Sequence, residues 1–439
     1  MVMTRRAALG VMASGLSLAA GCRRQMDRRT SIRWVVDPNP IRSEQIELFA
    51  RSNDDVAVVM DPDAGPQRVL TQLAGGVPPD IFAIYSPQSA ALFAKKDVLE
   101  DLRGWLPRSQ VRMDTFWPQL GEYIYERGDR ANGRILGFPD NCGPYVLYYN
   151  RRMFERAGVD EPTGSWSWEE FTDAARRLTV RDGSGRTTQF GMVLPPTYLT
   201  EMLVWQAGGA WYSEDGRACL LDSPEAAEAF EWFASLRQRH KVAPSPSEEQ
   251  SLAQLGGWGG AQNLFKESRA AMIITGRWMI IEWRKKGKEL EWDVAPIPHG
   301  RVRKGMLESK IYAIPRSSVH KAEAFRFLEH LVGPADEALV ADYGDGIPSV
   351  ASFCRTPAFA LNPAYPLERR NQLYLDEMQY CRLKQQSAWI HQLDADTIRD
   401  VECDRIWQSE VTPTQAARNI AQRVNDIIQR NLANPNLMD

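Results

Sequence analysis

From residue 30 onward, short apolar runs alternate with stretches whose apolar residues return every three or four positions. Ile32–Asp37 (IRWVVD), Val56–Met60 and Asp80–Tyr85 (DIFAIY) are continuous apolar runs of strand length. Between and after them, Ser43–Arg51, Gln67–Ala74 and Ser86–Lys95 carry helical spacing. Ser43 is a candidate cap for the first of these, and Val69, Leu70 and Leu73 form the stripe of the second. This β-α-β-α-β-α order predicts a parallel sheet with helices on both faces.

The alternation continues to the end of the chain. Arg134–Pro139 and Tyr145–Asn150 are extended runs, broken by the polar stretch Asp140-Asn141-Cys142-Gly143. Ser167-Trp168-Glu169-Glu170 is a capping box, which predicts a helix with Phe171, Ala174 and Leu178 on its buried side. Ser223-Pro224 starts another helix, with Phe230, Phe233 and Leu236 inward, and Thr412-Pro413 starts the last, with Ala416, Ile420, Val424 and Ile427 inward. Phe190–Leu194, Ala271–Thr275, Trp292–Ile297 and Lys310–Ile314 read as strands, and Ala322–Val332 as a helix closed by Gly333. There is no internal repeat, low-complexity tract or long linker. At 439 residues the chain exceeds one ordinary core, so two lobes are expected, and the alternation implies that they are not simple consecutive blocks.

The first 22 residues have a different character and read as an export signal. Arg5 and Arg6 give a positive start, Ala7–Ala20 is apolar but too short to span a bilayer, and Leu18-Ala19-Ala20-Gly21-Cys22 resembles a lipobox. Cys22 is then the lipidated residue and the mature N-terminus; a plain secretory signal with an incidental Cys is the other reading. Thr4-Arg5-Arg6-Ala7-Ala8-Leu9 resembles a twin-arginine signal but lacks its usual Phe and Lys, so both export routes stay open. Export places Cys142, Cys219, Cys354, Cys381 and Cys403 in an oxidising compartment. They show no CxxC and no zinc spacing, and read as buried inert thiols with room for one disulfide. Apart from the signal run there is no membrane-spanning stretch. The formal net charge of −3 points away from nucleic acid. The count of 14 Trp is high and suits the stacking of sugar rings.

Several stretches, in order, resemble extracellular solute-binding protein family 1, which contains the maltose- and other sugar-binding proteins of ABC importers. They are Gly76-Val77-Pro78-Pro79-Asp80-Ile81; Asp97-Val98-Leu99-Glu100-Asp101-Leu102; Gly137-Phe138-Pro139 followed by Tyr148-Tyr149-Asn150-Arg151-Arg152-Met153-Phe154; Ala157-Gly158, Pro162 and Ser167–Phe171; Phe265 to Met272 followed by Gly276-Arg277-Trp278; and Gly346-Ile347-Pro348-Ser349. The resemblance implies an α/β fold of two lobes, each a mostly parallel sheet flanked by helices, with hinge strands between them and a ligand cleft at the junction. By that pattern the N-lobe is 31–139 plus 300–345 and the C-lobe 140–299 plus 346–439. The crossovers fall near Pro139–Gly143, Pro296–Lys310 and Tyr343–Ser349. It further implies a monomeric, lipid-anchored carrier on the extracytoplasmic (periplasmic) side of the membrane. Such a carrier binds a small carbohydrate, closes on it and delivers it to an ABC permease, without cofactor or metal.

Ligands of open α/β sheets sit beyond the carboxyl ends of strands. That rule nominates Pro38-Asn39-Pro40, Tyr85-Ser86, Asp140-Asn141, Arg277-Trp278, Glu308-Ser309 and Tyr343–Gly346. Sugar recognition needs aromatic faces and planar polar groups, which makes Tyr85, Asn141, Trp205, Trp258, Arg277, Trp278, Glu308 and Asp345 the candidate ligand-binding residues. Trp258 lies in Gly256-Gly257-Trp258-Gly259-Gly260, a loop that cannot bury an indole in regular structure and can present it to a cleft, whereas Trp205, preceding Ala207-Gly208-Gly209, has packing at a helix end as its competing role. Trp168 and Trp232 fall in helical stripes and read as core. Glu308 stands where many relatives carry Gly, and so either alters specificity or faces solvent. His240, His299, His320, His330 and His391 are dispersed, and no HExxH, GxSxG or P-loop occurs, so no enzyme is indicated. Three alternatives stay open. One is the same fold binding a polyol, glycerol phosphate or other small metabolite. The others are a sensor lipoprotein and an exported glycan-degrading enzyme with a carboxylate pair.

Overall fold

The computed structural model describes residues 29–62, 65–253 and 260–434; Cys22 and Trp258 lie outside them. Its strands in chain order are β1 (Thr30–Val35), β2 (Val56–Asp61), β3 (Ile81–Ile84), β4 (Phe138–Pro144), β5 (Val146–Asn150), β6 (Val180–Arg181), β7 (Thr187–Gln189), β8 (Met272–Thr275), β9 (Trp292–Ala295), β10 (Gly305–Ala313), β11 (Ile347–Pro348) and β12 (Cys381–Arg382). The larger sheet has the order β11-β4-β10-β3-β1-β2, with β12 paired to β10. The smaller sheet is β8-β5-β9, and β6 and β7 form a separate hairpin.

The first three strands meet the expectation drawn from the apolar runs. β1 pairs in parallel with both β2 and β3, and the connecting segments carry helices Ile41–Ala50 and Pro66–Ala74. Beyond β3 the pairing changes. β10 runs antiparallel to β3 and to β4, β11 runs antiparallel to β4, and the β8-β5-β9 sheet is antiparallel throughout. Only Tyr145 separates β4 from β5, so the chain passes directly from one sheet into the other with no room for the helical crossover that parallel pairing needs. The result is a two-lobed α/β molecule in which β11, β4 and β10, the segments that link the lobes, lie side by side.

Two apolar cores form, and β5 separates them by its period of two. Val146 and Tyr148 face the core built on Trp34, Phe49, Phe82, Phe93 and Phe327. Leu147 and Tyr149 face the core built on Phe171, Phe230, Phe233, Ile420 and Val424. The helix starts read from sequence recur with their bonds. Ser167 Oγ accepts from the Glu170 amide at 3.1 Å while Glu170 Oε2 accepts from the Ser167 amide at 2.7 Å. Ser223 and Thr412 likewise cap helices Pro224–Gln238 and Pro413–Ala433.

Four local expectations need correction. The first helix begins at Ile41, not Ser43, because Asn39 Oδ1 accepts the Ile41 amide at 3.2 Å. Phe190–Leu194 runs beside β8 but forms a single bridge, Phe190 to Ala270, and no strand. Asp140–Gly143 is not a break but the middle of β4, fully within the sheet. On the last helix Ile428, not Ile427, is the fully buried residue. The five described cysteines are all buried free thiols. Among the described residues, no helix is long and apolar enough to cross a membrane.

Candidate functional site

At the junction of the lobes, where β4, β10 and β11 lie together, a cavity of about 180 Å³ is lined by Asp37, Tyr85, Asn141, Cys142, Trp278, Glu308, Ser309, Lys310 and Asp345. Asp37 and Tyr85 follow the carboxyl ends of the parallel strands β1 and β3, as the strand-end rule predicts. Asn141 and Cys142 come from β4, and Glu308, Ser309 and Lys310 from β10. Asp345 follows helix Pro334–Tyr343, which ends at the left-handed Gly344. Trp278 sits in the turn after β8, so the smaller sheet contributes an indole to a cavity otherwise built on the larger one. That indole packs against both cores and meets the Tyr145 ring edge-on at 5.4 Å.

The wall formed by Asp37, Lys310 and Asp345 is backed by a buried charge network. Arg42, wholly inaccessible on helix Ile41–Ala50, places its guanidinium 3.2 Å from Asp140, 2.8 Å from Asp345 and 3.4 Å from Asp37. Lys310 Nζ lies 3.2 Å from Asp140, 3.5 Å from Asp37 and 3.6 Å from Asp345. Neutral donors take up the remaining oxygens. Asn39 and Asn141 each donate to the Asp345 carboxylate at 2.9 Å, Gln45 to Asp140 at 3.1 Å, and the Tyr85 hydroxyl to Asp37 at 2.8 Å. Burial works against the charge on Asp37, but Lys310 and Arg42 outweigh it and hold its carboxyl well below the ordinary range. Burial and Arg42 oppose the Lys310 ammonium, yet Asp345, Asp37 and Asp140 outweigh them and raise its pKa. Asp37 and Lys310 are therefore held charged, and the shared bonds fix the network, which gives the cavity a rigid polar wall.

The other wall is different. Glu308 is partly exposed, with Oε1 3.3 Å from the Tyr145 hydroxyl, and that hydroxyl is 3.2 Å from Tyr198. Burial pushes the Glu308 carboxyl up to about 7, only partly offset by Lys384. A second groove, of about 370 Å³, shares Tyr85 and runs between Pro66–Phe93 and His391–Asp396, so the cleft continues past the cavity. Gln88 spans this groove and donates to the Ser387 carbonyl at 3.2 Å and to that of Ile390.

Of the candidates drawn from the sequence, Tyr85, Asn141, Trp278, Glu308 and Asp345 meet at this cavity. Two lie elsewhere. Arg277 is buried beneath the hinge, donating to the carbonyls of Gly346 at 2.7 Å and Ala341 at 3.1 Å, so its charge fastens the turn before β11 and does not reach the cavity. Trp205 is inside helix Thr200–Gln206, where every residue is buried. Its indole lies under the Arg382 guanidinium at 3.9 Å and donates to Gln385 at 3.2 Å. Trp168 and Trp232 stack on each other at 4.5 Å, in the packing role expected of them. Sequence reading passed over Asp37, Lys310 and Arg42. Asp37 closes the first apolar run, and Lys310 is a lone ammonium in an apolar strand, so both left a signal; Arg42 left none.

Comparison with known proteins places this geometry in context. A family model described as bacterial extracellular solute-binding protein matches residues 40–338. A binding protein of Brucella abortus is 24% identical over 344 residues, which are 75% of this chain and 78% of that one. Among solved structures, a substrate-binding protein of Listeria monocytogenes in complex with cycloalternan superimposes with a TM-score of 0.77 at 22% identity, over 92% of this chain and 99% of that one. A solute-binding protein of Thermotoga lettingae bound with α-D-tagatose gives 0.77 at 20% identity, over 91% and 100%.

Proposed function

The chain belongs to the bacterial extracellular solute-binding proteins, and on that premise we propose that its interlobe cavity captures a carbohydrate for delivery to an ABC importer. The observation that carries this reading is the convergence of one indole and one phenol with fixed hydrogen-bonding groups on a single cavity between the lobes. Trp278 and Tyr85 offer flat apolar faces to a sugar ring. Asp37, Asn141 and Asp345 are held in place by their own partners, so they meet hydroxyls without reorganising. That two solved structures of like fold hold cycloalternan and tagatose supports the same ligand class. Ligand bridging Trp278 to the β4 and β10 walls stabilises the closed arrangement of the lobes, which is the form offered to the permease.

The polyol reading uses the same groups and stays within this proposal. The glycerol phosphate reading is weaker, since among the described residues the one cation lining the cavity, Lys310, is already shared among three carboxylates. The role is binding without turnover, by a monomer exported through the Met1–Cys22 signal and anchored by a lipid on Cys22. Cys22→Ala should release the protein from the membrane fraction.

The test is a thermal-shift screen of the domain from Arg23 onward against mono- and oligosaccharides, polyols and glycerol phosphates. A ligand at about 100 times its Kd adds roughly 2.7 kcal/mol of stability and moves the melting point by a few degrees. A shift with sugars or polyols is expected. A shift with phosphate esters alone, or product formation from a bound glycan, would overturn the assignment.

A further inference from the structure

Resting on the carbohydrate reading of the cleft, we infer that the natural ligand carries a cationic nitrogen, as in an amino sugar, and that Glu308 is its counter-charge.

The polar wall holds three carboxylates, Asp37, Asp140 and Asp345, against two cations, Arg42 and Lys310, and every one of these charges already has opposite partners within 3.6 Å. Among the described residues of this wall, each cation is shared between carboxylates, and the acids outnumber the bases. Glu308, two residues before Lys310 on β10, adds a further acid to the cavity lining. Among the described residues, no basic side chain comes within 4.0 Å of its carboxylate. The cation whose field reaches it, Lys384, is bound to Asp396 at 2.7 Å. The side-chain hydrogen-bond partner of Glu308 is aromatic, with further rings packed on that partner, and Asp396 adds a second acid to its field. The Tyr145 hydroxyl is at 3.3 Å, the Tyr145 and Tyr198 rings lie 6.2 Å apart, and Trp278 stands edge-on to Tyr145.

A carboxylate among aromatic rings, without a cation of its own, is a site for an ammonium group. The acid supplies the counter-charge and the ring faces supply cation–π attraction. A neutral ligand would close the cleft over an unpaired acid, which is unfavourable unless the acid takes up a proton. An anionic ligand would meet like charge on both walls. An ammonium resolves both problems, since it pairs with Glu308 at one end while the ring hydroxyls of the same ligand reach Asn141 and Asp345 at the other.

The experiment is calorimetric titration with matched probes: glucose, glucosamine, N-acetylglucosamine and glucose 6-phosphate; galactose with galactosamine; and chitobiose with its de-acetylated form. In at least one set the amine is expected to bind tenfold or more tightly than its hydroxyl or acetylated partner. Glu308→Gln, which keeps the side-chain volume, should bring that ratio to within about twofold without lowering the melting point. Neutral and amine forms binding equally, a phosphate ester binding best, or an amine preference that survives Glu308→Gln would each overturn the inference while leaving a carbohydrate-binding protein. Failure of every sugar to bind would remove the reading on which it rests.

Discussion

Gly276→Ala tests how the indole is presented to the cleft. Gly276 has an extended backbone with φ −93° and ψ 170°, open to any residue, so conformation does not demand glycine there. Space does. A Cβ at this position would lie 1.9 Å from Cζ3 of Trp278 and within 2.4 Å of two more ring atoms, at least 1.5 Å short of ordinary contact. The obstacle is a rigid ring, wedged between two cores and Tyr145, so it cannot yield as the end of a flexible side chain would. Overpacking of this kind costs about 1–3 kcal/mol, which lowers the melting point by roughly 1–3 °C in a protein of this size. A displaced indole also loses its stacking on the ligand, worth about 0.5–1.5 kcal/mol, so Kd for the best sugar should rise roughly two- to twelvefold. Gly143→Ala is the control, since its Cβ would meet the same Cζ3 at 3.9 Å, an ordinary contact. Differential scanning calorimetry and titration of both variants give the two readouts. If Gly276→Ala matches Gly143→Ala in both, the indole is not held over Gly276 and its place in the cavity wall is wrong.

Three further outcomes follow from the same coordinates. Arg42→Met leaves Asp37, Asp140 and Asp345 with Lys310 alone and should cost about 3–5 kcal/mol in urea unfolding, part of it recovered by adding Asp345→Asn; a loss below about 1 kcal/mol would mean the network is not ionised. Glu201 is buried, accepts from the Gln385 amide at 2.5 Å, and has a pKa pushed up to about 8 by desolvation, against Lys384. The folded state therefore keeps a proton that the unfolded chain releases, so stability should fall as pH rises from about 4.5 to about 8. Urea midpoints of Glu201→Gln should fall less over that window, and parallel curves would refute the assignment. Ser167→Ala removes half of the capping box and should cost about 1 kcal/mol, measured in the same way, with no change in sugar affinity.

Much of the fold was legible because regular elements announce themselves by periodicity and caps. Ser167, Ser223 and Thr412 start helices by local bonds that involve only their near neighbours. What could not be read depends on partners far along the chain. Asp140-Asn141-Cys142-Gly143 has the composition of a turn, yet lies in mid-sheet because Arg42, Lys310 and Asp345 neutralise and bond its polar groups. Phe190–Leu194 has the composition of a strand, yet its backbone groups find partners at Arg269, Met272 and Val242 without forming a ladder. The same asymmetry divides the site. Tyr85, Asn141, Trp278, Glu308 and Asp345 could be nominated because they follow or flank recognisable runs. Arg277 and Trp205 were misplaced because a loop-like sequence does not say whether a guanidinium or an indole turns inward.

The separation between the two walls bears on how such a protein diverges. The Arg42–Lys310 network draws on four distant stretches of chain, around residues 37–42, 140, 310 and 345. A single exchange within it strands a buried charge. Glu308 stands outside that constraint, two residues before Lys310 on β10. It can be exchanged alone without unpairing any other charge. One part of the lining is thus a fixed frame, and the other can be altered by one residue while that frame stays intact.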